Sequence, residues 1–154
     1  MTIQHSAIAD ADRHEPKGIT TAAAGTVYIS NGDAVSGTWT FSPAALTLDI
    51  TSLDTVANYY LVFPFAATIT KIYSVIDGAI LTADKTLTAS IGGVAVTGGV
   101  VTIAFTGAAV GDIDVATPSA ANVITAGAAL KIAATGASTG AVRGHLTIQY
   151  QRTT

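Results

Sequence analysis

The chain has 154 residues, a net charge of −3, no cysteine, and 49% hydrophobic against 11% charged residues. This length suffices for one domain with its own core, and the lack of cysteine excludes disulfides and thiolate metal sites. The acidic balance argues against nucleic acid as a partner, and glycine pairs within the long uncharged stretch 86–111 argue against a membrane-spanning helix.

The N-terminal segment, residues 1–25, is predicted to be an extended arm. Residues 1–18 carry five of the 17 charged residues, but too few apolar ones to form a core. Pro16 favours an extended backbone at Glu15 and removes an amide donor. We therefore expect this arm to be ordered only by a partner. The opening MTIQHSAIADADRHEP lacks a basic start and an apolar run, so no secretory signal is expected.

Residues 26–40 are predicted to form a short hairpin or linker. The stretch TVYIS is a β-branched and aromatic run, and Asn31-Gly32 is a strong turn signal. The segment then closes on Trp39, the only tryptophan, which is more often a packing anchor than a sugar platform.

Residues 41–154 are predicted to fold as a β-sandwich of eight or nine strands. In NYYLVFPF, Tyr59, Leu61, Phe63 and Phe65 alternate onto one face, and Pro64 predicts an edge or a strand end. The two Gly-Gly pairs in TLTASIGGVAVTGGVVTIAF predict three short strands, whose inward sets are Leu87 and Ile91, then Val94 and Val96, then Val101, Ile103 and Phe105.

The last strand, AVRGHLTIQY, has the cleanest two-residue period in the chain. Its apolar positions include Ile148, which we expect in the core together with Phe63 and Ile103. Regular strand spacing with Gly, Ser, Thr and Asp turns favours a two-sheet sandwich, and a jelly-roll-like arrangement is preferred over an immunoglobulin-like one.

No motif predicts catalysis, a cofactor or a metal, and we expect that the chain is not an enzyme. The stretch GASTGAVRG lacks the Lys-Ser/Thr end of a phosphate loop and predicts a hairpin turn. His145 is expected to be a surface or interface histidine, since the sequence implies no nearby carboxylate or serine. Asp112 and Asp114 offer oxygen ligands, but two carboxylates do not fill a calcium shell. Asp49 and Asp54 lack the aromatic cleft typical of glycosidases.

The stretch HEPKGI…AAAGTVYISNG…SGTW resembles the N-terminal segment of head decoration (cement) and head-fibre proteins of tailed bacteriophages. The downstream stretches YYLVFPFAATITKIYSVIDGAILTADKTLTASIGG and GDIDVATPSAANVITAGAALKIAATGASTGAV are similar to the β-domain of such virion proteins. The resemblance covers most of the chain from His14 onward. The insert Asp33-Ala34-Val35, between the turn and Ser36-Gly37, departs from the family pattern.

The resemblance implies a homotrimer on the outer surface of a phage capsid, made in the bacterial cytoplasm, that binds the major capsid protein and stabilises the shell. The residues that match the family motif, and are expected to contact the shell, are His14, Glu15, Pro16, Lys17 and Gly18. The alternative is a head-fibre or tail adhesin that binds host-surface glycan through exposed aromatic side chains such as Tyr59, Tyr60 or Tyr73.

Overall fold

The computed structural model describes residues 26–30 and 37–153, and the chain divides into two compact units, Met1–Ser42 and Pro43–Thr154. In the first unit, the described part is an antiparallel pair of strands, β1 (Thr26–Ser30) and β2 (Gly37–Phe41). The stretch TVYIS is therefore a strand, and the predicted turn at Asn31-Gly32 lies outside the described residues.

The second unit forms nine strands in its described part. They are β3 (Ala44–Ile50), β4 (Ala57–Val62), β5 (Ala67–Ile76), β6 (Lys85–Ile91), β7 (Val94–Ile103), β8 (Ile113–Ala116), β9 (Val123–Ile124), β10 (Ala129–Thr135) and β11 (Gly144–Arg152). The described residues contain no helix, and so none that is long and apolar enough to cross a membrane.

These strands form two antiparallel sheets. One sheet has four strands in the order β4-β10-β6-β7, and the other has the order β3-β11-β5-β8, with β9 also pairing with β5. The all-β prediction is confirmed, and the two sheets are consistent with a β-sandwich. Pro64 follows the end of β4, an edge strand, where its missing amide donor costs no ladder bond.

A single apolar core is built from alternate residues of both sheets. In β11, the residues at every second position from Gly144 to Tyr150 are buried, as the two-residue period predicts. Phe63, Ile103 and Ile148 are each 0% exposed. The ring of Phe63 meets the ring of Tyr150 edge-on, with a centroid distance of 5.4 Å. Edge-to-face contacts of this kind add to the stabilisation from burial alone.

The prediction that two Gly-Gly pairs delimit three strands is wrong. Gly92-Gly93 forms the two-residue turn between β6 and β7, but Gly98-Gly99 lies inside β7. The register of β6 against β7 shifts between Thr88 and Ser90, opposite this second pair. Gly98 has a φ of 72°, which glycine adopts without steric cost, so the extra residues form a bulge rather than a turn.

Two of the predicted inward residues and one predicted hairpin also need correction. Val94 is 60% exposed at the tip of the β6–β7 hairpin, and Phe105 is 45% exposed because β7 has already ended at Ile103. The stretch GASTGAVRG is not a hairpin turn, because it connects β10 of the four-stranded sheet to β11 of the other sheet.

Replacing Ile148 with alanine should lower the free energy of unfolding by about 2–5 kcal/mol, because the side chain is fully buried and leaves a cavity. The matched control is Gln149→Ala, at the next position of the same strand, which should cost less than about 1 kcal/mol. Chemical denaturation of both variants checks this. A larger stability loss for Gln149→Ala than for Ile148→Ala would mean that the two faces of β11 are reversed.

Candidate functional site

The residues predicted to contact a capsid, His14, Glu15, Pro16, Lys17 and Gly18, lie outside the described residues. The side chain of Trp39 is also outside the description, although its backbone pairs with Tyr28. Candidate functional groups that can be placed in space therefore belong to the unit Pro43–Thr154.

His145 and Asp49 form a contact that the sequence did not predict. The Nδ1 atom of His145 lies 2.7 Å from Oδ1 of Asp49, because β11 pairs with β3 in a register that sets these two residues directly opposite each other. The side chains are 48% and 76% exposed, so solvent screens the pair. Exposed ion pairs contribute about 0–1 kcal/mol. The contact joins the first and last strands of this unit, and His145 also lines a depression of about 290 Å³ on the same sheet.

Asp54, the second carboxylate of the pair considered for glycoside hydrolysis, also has a local partner. The carboxylate of Asp54 accepts a hydrogen bond from the hydroxyl of Ser52, two residues earlier in the loop after β3. Asp49 lies within β3 and faces His145. The two carboxylates are therefore engaged separately, one in a loop and one on a sheet face.

Asp114 faces the interior beside another polar group. In the β5–β8 pairing it lies directly opposite Ser74, which is 1% exposed. Neither the Ser74 hydroxyl nor Oδ2 of Asp114 has a hydrogen-bond partner among the described residues. Burial raises the pKa of Asp114, and the nearby negative charge of Asp112 raises it further.

Asp112 has a different environment from Asp114. It is exposed, and its carboxylate accepts a hydrogen bond from the amide of Ile113 at 3.2 Å. Within residues 26–30 and 37–153, no three His, Cys, Asp or Glu side chains come together as a metal site would require.

Lys85 is a fully buried cation, at 0% exposure. Its ammonium donates to the carbonyl oxygen of Thr55 at 2.7 Å and to that of Gly136 at 3.5 Å. Burial lowers the pKa of Lys85, and the charge of Asp54 partly offsets this effect. The side chain thus connects the loop after β3 to the loop after β10.

An exposed apolar surface lies along β8 and β9, at the edge of the five-stranded sheet. We call it the apolar rim. Its members are Val110, Ile113, Val115 and Val123, with exposures between 54% and 77%. Ile113 and Val115 are two residues apart in β8 and therefore lie on the same, outer face. Exposed apolar side chains that cluster at a sheet edge, as Ile113 and Val115 do, are candidates for interaction sites.

The three tyrosines considered for glycan binding differ in exposure. Tyr59 is half-buried and packs against the core, whereas Tyr60 is 61% exposed on the outer face of β4. Tyr73 is half-buried on β5, with the ammonium of Lys71 5.8 Å from its ring centroid. Tyr60 therefore offers the most accessible ring of the three.

No protein-family model matches the chain, and no curated protein matches it at a significant level.

Replacing Asp114 with asparagine should stabilise the protein at neutral pH. The folded-state pKa is raised, so the wild type loses stability as pH rises from the ordinary aspartate pKa, 3.8, through the raised value. Asparagine removes this loss, and the difference in Tm between variant and wild type should grow across that window and vanish below it.

Thermal melts from pH 3 to pH 8 measure this difference. Asp112→Asn is the matched control, since it removes only the weaker of the two causes and should give a smaller gain. A Tm difference independent of pH would contradict the assignment.

Proposed function

We propose that this chain is a structural virion protein that binds the outer surface of a tailed-phage capsid as a homotrimer and stabilises the shell. The observation that carries the proposal is the segregation of charge. Residues 1–18 hold five of the 17 charged residues within a stretch that resembles the N-terminal segment of head decoration proteins. The sandwich, by contrast, is poor in charge and has its own core.

We further propose that the sandwich is a jelly roll, the two-sheet, eight-strand architecture common in viral capsid domains. Counted with β8 and β9 as one interrupted strand, the unit has four strands in each sheet. Its first two strands, β3 and β4, occupy edges of different sheets, and the last two, β10 and β11, return to lie beside them. This interleaving supports the proposal, since it is the arrangement that two Greek keys produce.

In the proposed mechanism, the arm lies across a boundary between capsid subunits and forms backbone hydrogen bonds with the shell. Glu15 and Lys17 pair with shell charges, and Pro16 keeps the chain extended. Each contact is weak by itself, because exposed ion pairs contribute only about 0–1 kcal/mol. Once one arm of a trimer is bound, however, the other two bind intramolecularly, which raises the overall affinity.

The apolar rim supports the trimeric part of the proposal. Val110, Ile113, Val115 and Val123 are more than half exposed on an otherwise self-sufficient domain. Burying apolar side chains yields about 25 cal/mol per Å² removed from water, so a contact between copies through this edge is favourable. Strand faces near the rim would then surround the three-fold axis.

Deleting residues 1–18 should abolish capsid binding while leaving the sandwich folded. The measurement is co-sedimentation with expanded, undecorated capsids of the cognate phage. Full-length protein carrying His14→Ala, Glu15→Ala and Lys17→Ala should bind more weakly than wild type. The control, Asp10→Asn with Asp12→Asn, alters charge in the same arm outside the motif and should bind normally. Undiminished binding by the truncated protein would show that the arm is not the anchor.

The oligomeric state gives an independent test. Light scattering at micromolar concentration should return a trimer for the wild type and a folded monomer for Ile113→Lys with Val115→Lys, because charge on the rim opposes burial. The matched control, Val94→Lys with Val100→Lys, adds the same charge at exposed positions of the other sheet and should remain trimeric. A monomeric wild-type protein would contradict the trimeric part of the proposal.

A further inference from the structure

Three side chains with different chemistry form one row across the outer face of the four-stranded sheet. Tyr60 of β4 lies opposite Lys131 of β10, and Lys131 lies opposite Ser90 of β6. Residues directly opposite each other in antiparallel strands share a face, with Cβ atoms about 4.5–5.5 Å apart. The row therefore presents an aromatic ring and an ammonium within reach of one small ligand, beside the buried hydroxyl of Ser90.

The row borders a depression of about 410 Å³. Its remaining lining consists of Gly92 and Gly93 of the β6–β7 turn together with Ala128 and Ala129. The surface is concave because these residues have little or no side chain, while Tyr60 stands 61% exposed at its border. Volumes of roughly 300–1,000 Å³ are usual for small-molecule sites.

The polar groups of this depression have no internal partners. Ser90 is 8% exposed, yet its hydroxyl makes no hydrogen bond among the described residues. Such a buried polar group without a partner carries a desolvation cost. Among residues 42–153, no carboxylate forms an ion pair with Lys131, which leaves its charge available to an anion.

We propose that this depression binds a uronic-acid-type saccharide, a pyranose that carries a carboxylate. The apolar face of the sugar ring stacks on Tyr60 and its carboxylate pairs with the ammonium of Lys131, while Ser90 and the two glycines line the depression. The exposed ring favours a saccharide, and the unpaired cation favours an acidic one. This site lies on the opposite sheet from the apolar rim, and its ligand binding does not depend on the capsid.

The experiment titrates the full-length protein with digalacturonic acid and with a glucuronic-acid-containing disaccharide, using NMR chemical shifts. The fully methyl-esterified digalacturonate is the neutral counterpart, with the same ring stereochemistry. We expect weak binding, with a Kd of about 1 mM, and at least about fivefold weaker binding of the neutral ester, since the ion pair is lost.

Four variants separate the contributions of the row. Tyr60→Ala should weaken binding of the acid about tenfold, whereas Tyr60→Phe keeps the ring and should bind nearly as wild type. Lys131→Gln should equalise the acid and its methyl ester. Tyr73→Ala, which removes a tyrosine from the other sheet, should bind as wild type and is the matched control. Thermal melts verify that each variant is folded.

Several results would overturn the proposal. The first is an absence of chemical-shift changes with both acidic disaccharides. The second is equal binding of the acid and its ester by the wild type, and the third is binding that Tyr60→Ala leaves unchanged. Acetate that competes at equal carboxylate concentration would show a contact with any anion rather than a saccharide site. A depression already covered by a second copy would give no response while the oligomer persists, which also contradicts the proposal.

Discussion

The pairing of β11 between β3 and β5 is the constraint on which the sandwich depends. β11 is the last strand in the chain, yet it occupies the interior of the five-stranded sheet, with β3 paired along one side and β5 along the other. Its buried residues sit in the core that both sheets share. The sheet therefore cannot be completed until strands separated by about 100 residues have met, and folding governed by such non-local contacts is slow.

In this arrangement the stabilising contacts lie inside the sandwich, so the residues on its outer faces can differ without loss of the core. Lys85 illustrates how two loops at the ends of strands are held together. A buried ammonium is costly unless it is hydrogen-bonded, and here two backbone carbonyls from separate loops accept hydrogen bonds from it. Apart from Val110, the apolar rim and the Tyr60–Lys131–Ser90 row lie on regular strands. Sites on strands are held more precisely than sites on loops.

Local patterns predicted the strands well because alternation is a property of neighbouring residues. The period of β11 gave its buried face directly, and Lys85 also alternates with Leu87 and Ala89, a signal that could have placed it inside. The contact of His145 with Asp49 spans 96 residues and depends on strand order and register, which no local pattern contains. The sequence does not distinguish a turn from a bulge at Gly98-Gly99, because glycine supplies the left-handed backbone that either can use. The predicted arm lies outside the described residues, so its role stays a prediction.

The bulge at Gly98 has a consequence for aggregation. The segment after β8 crosses to β7, where Thr97 donates to the carbonyl of Ala120 and accepts from the amide of Ser119, both at 2.9 Å. A Cβ on residue 98 would lie 2.5 Å from the carbonyl oxygen of Thr117, so only glycine permits this approach. Open sheet edges are templates for uncontrolled polymerisation, and proteins commonly cover them. Because Gly98 has no side chain, the segment after β8 can cover β7, the edge strand of the four-stranded sheet, and so oppose fibrous growth at that edge.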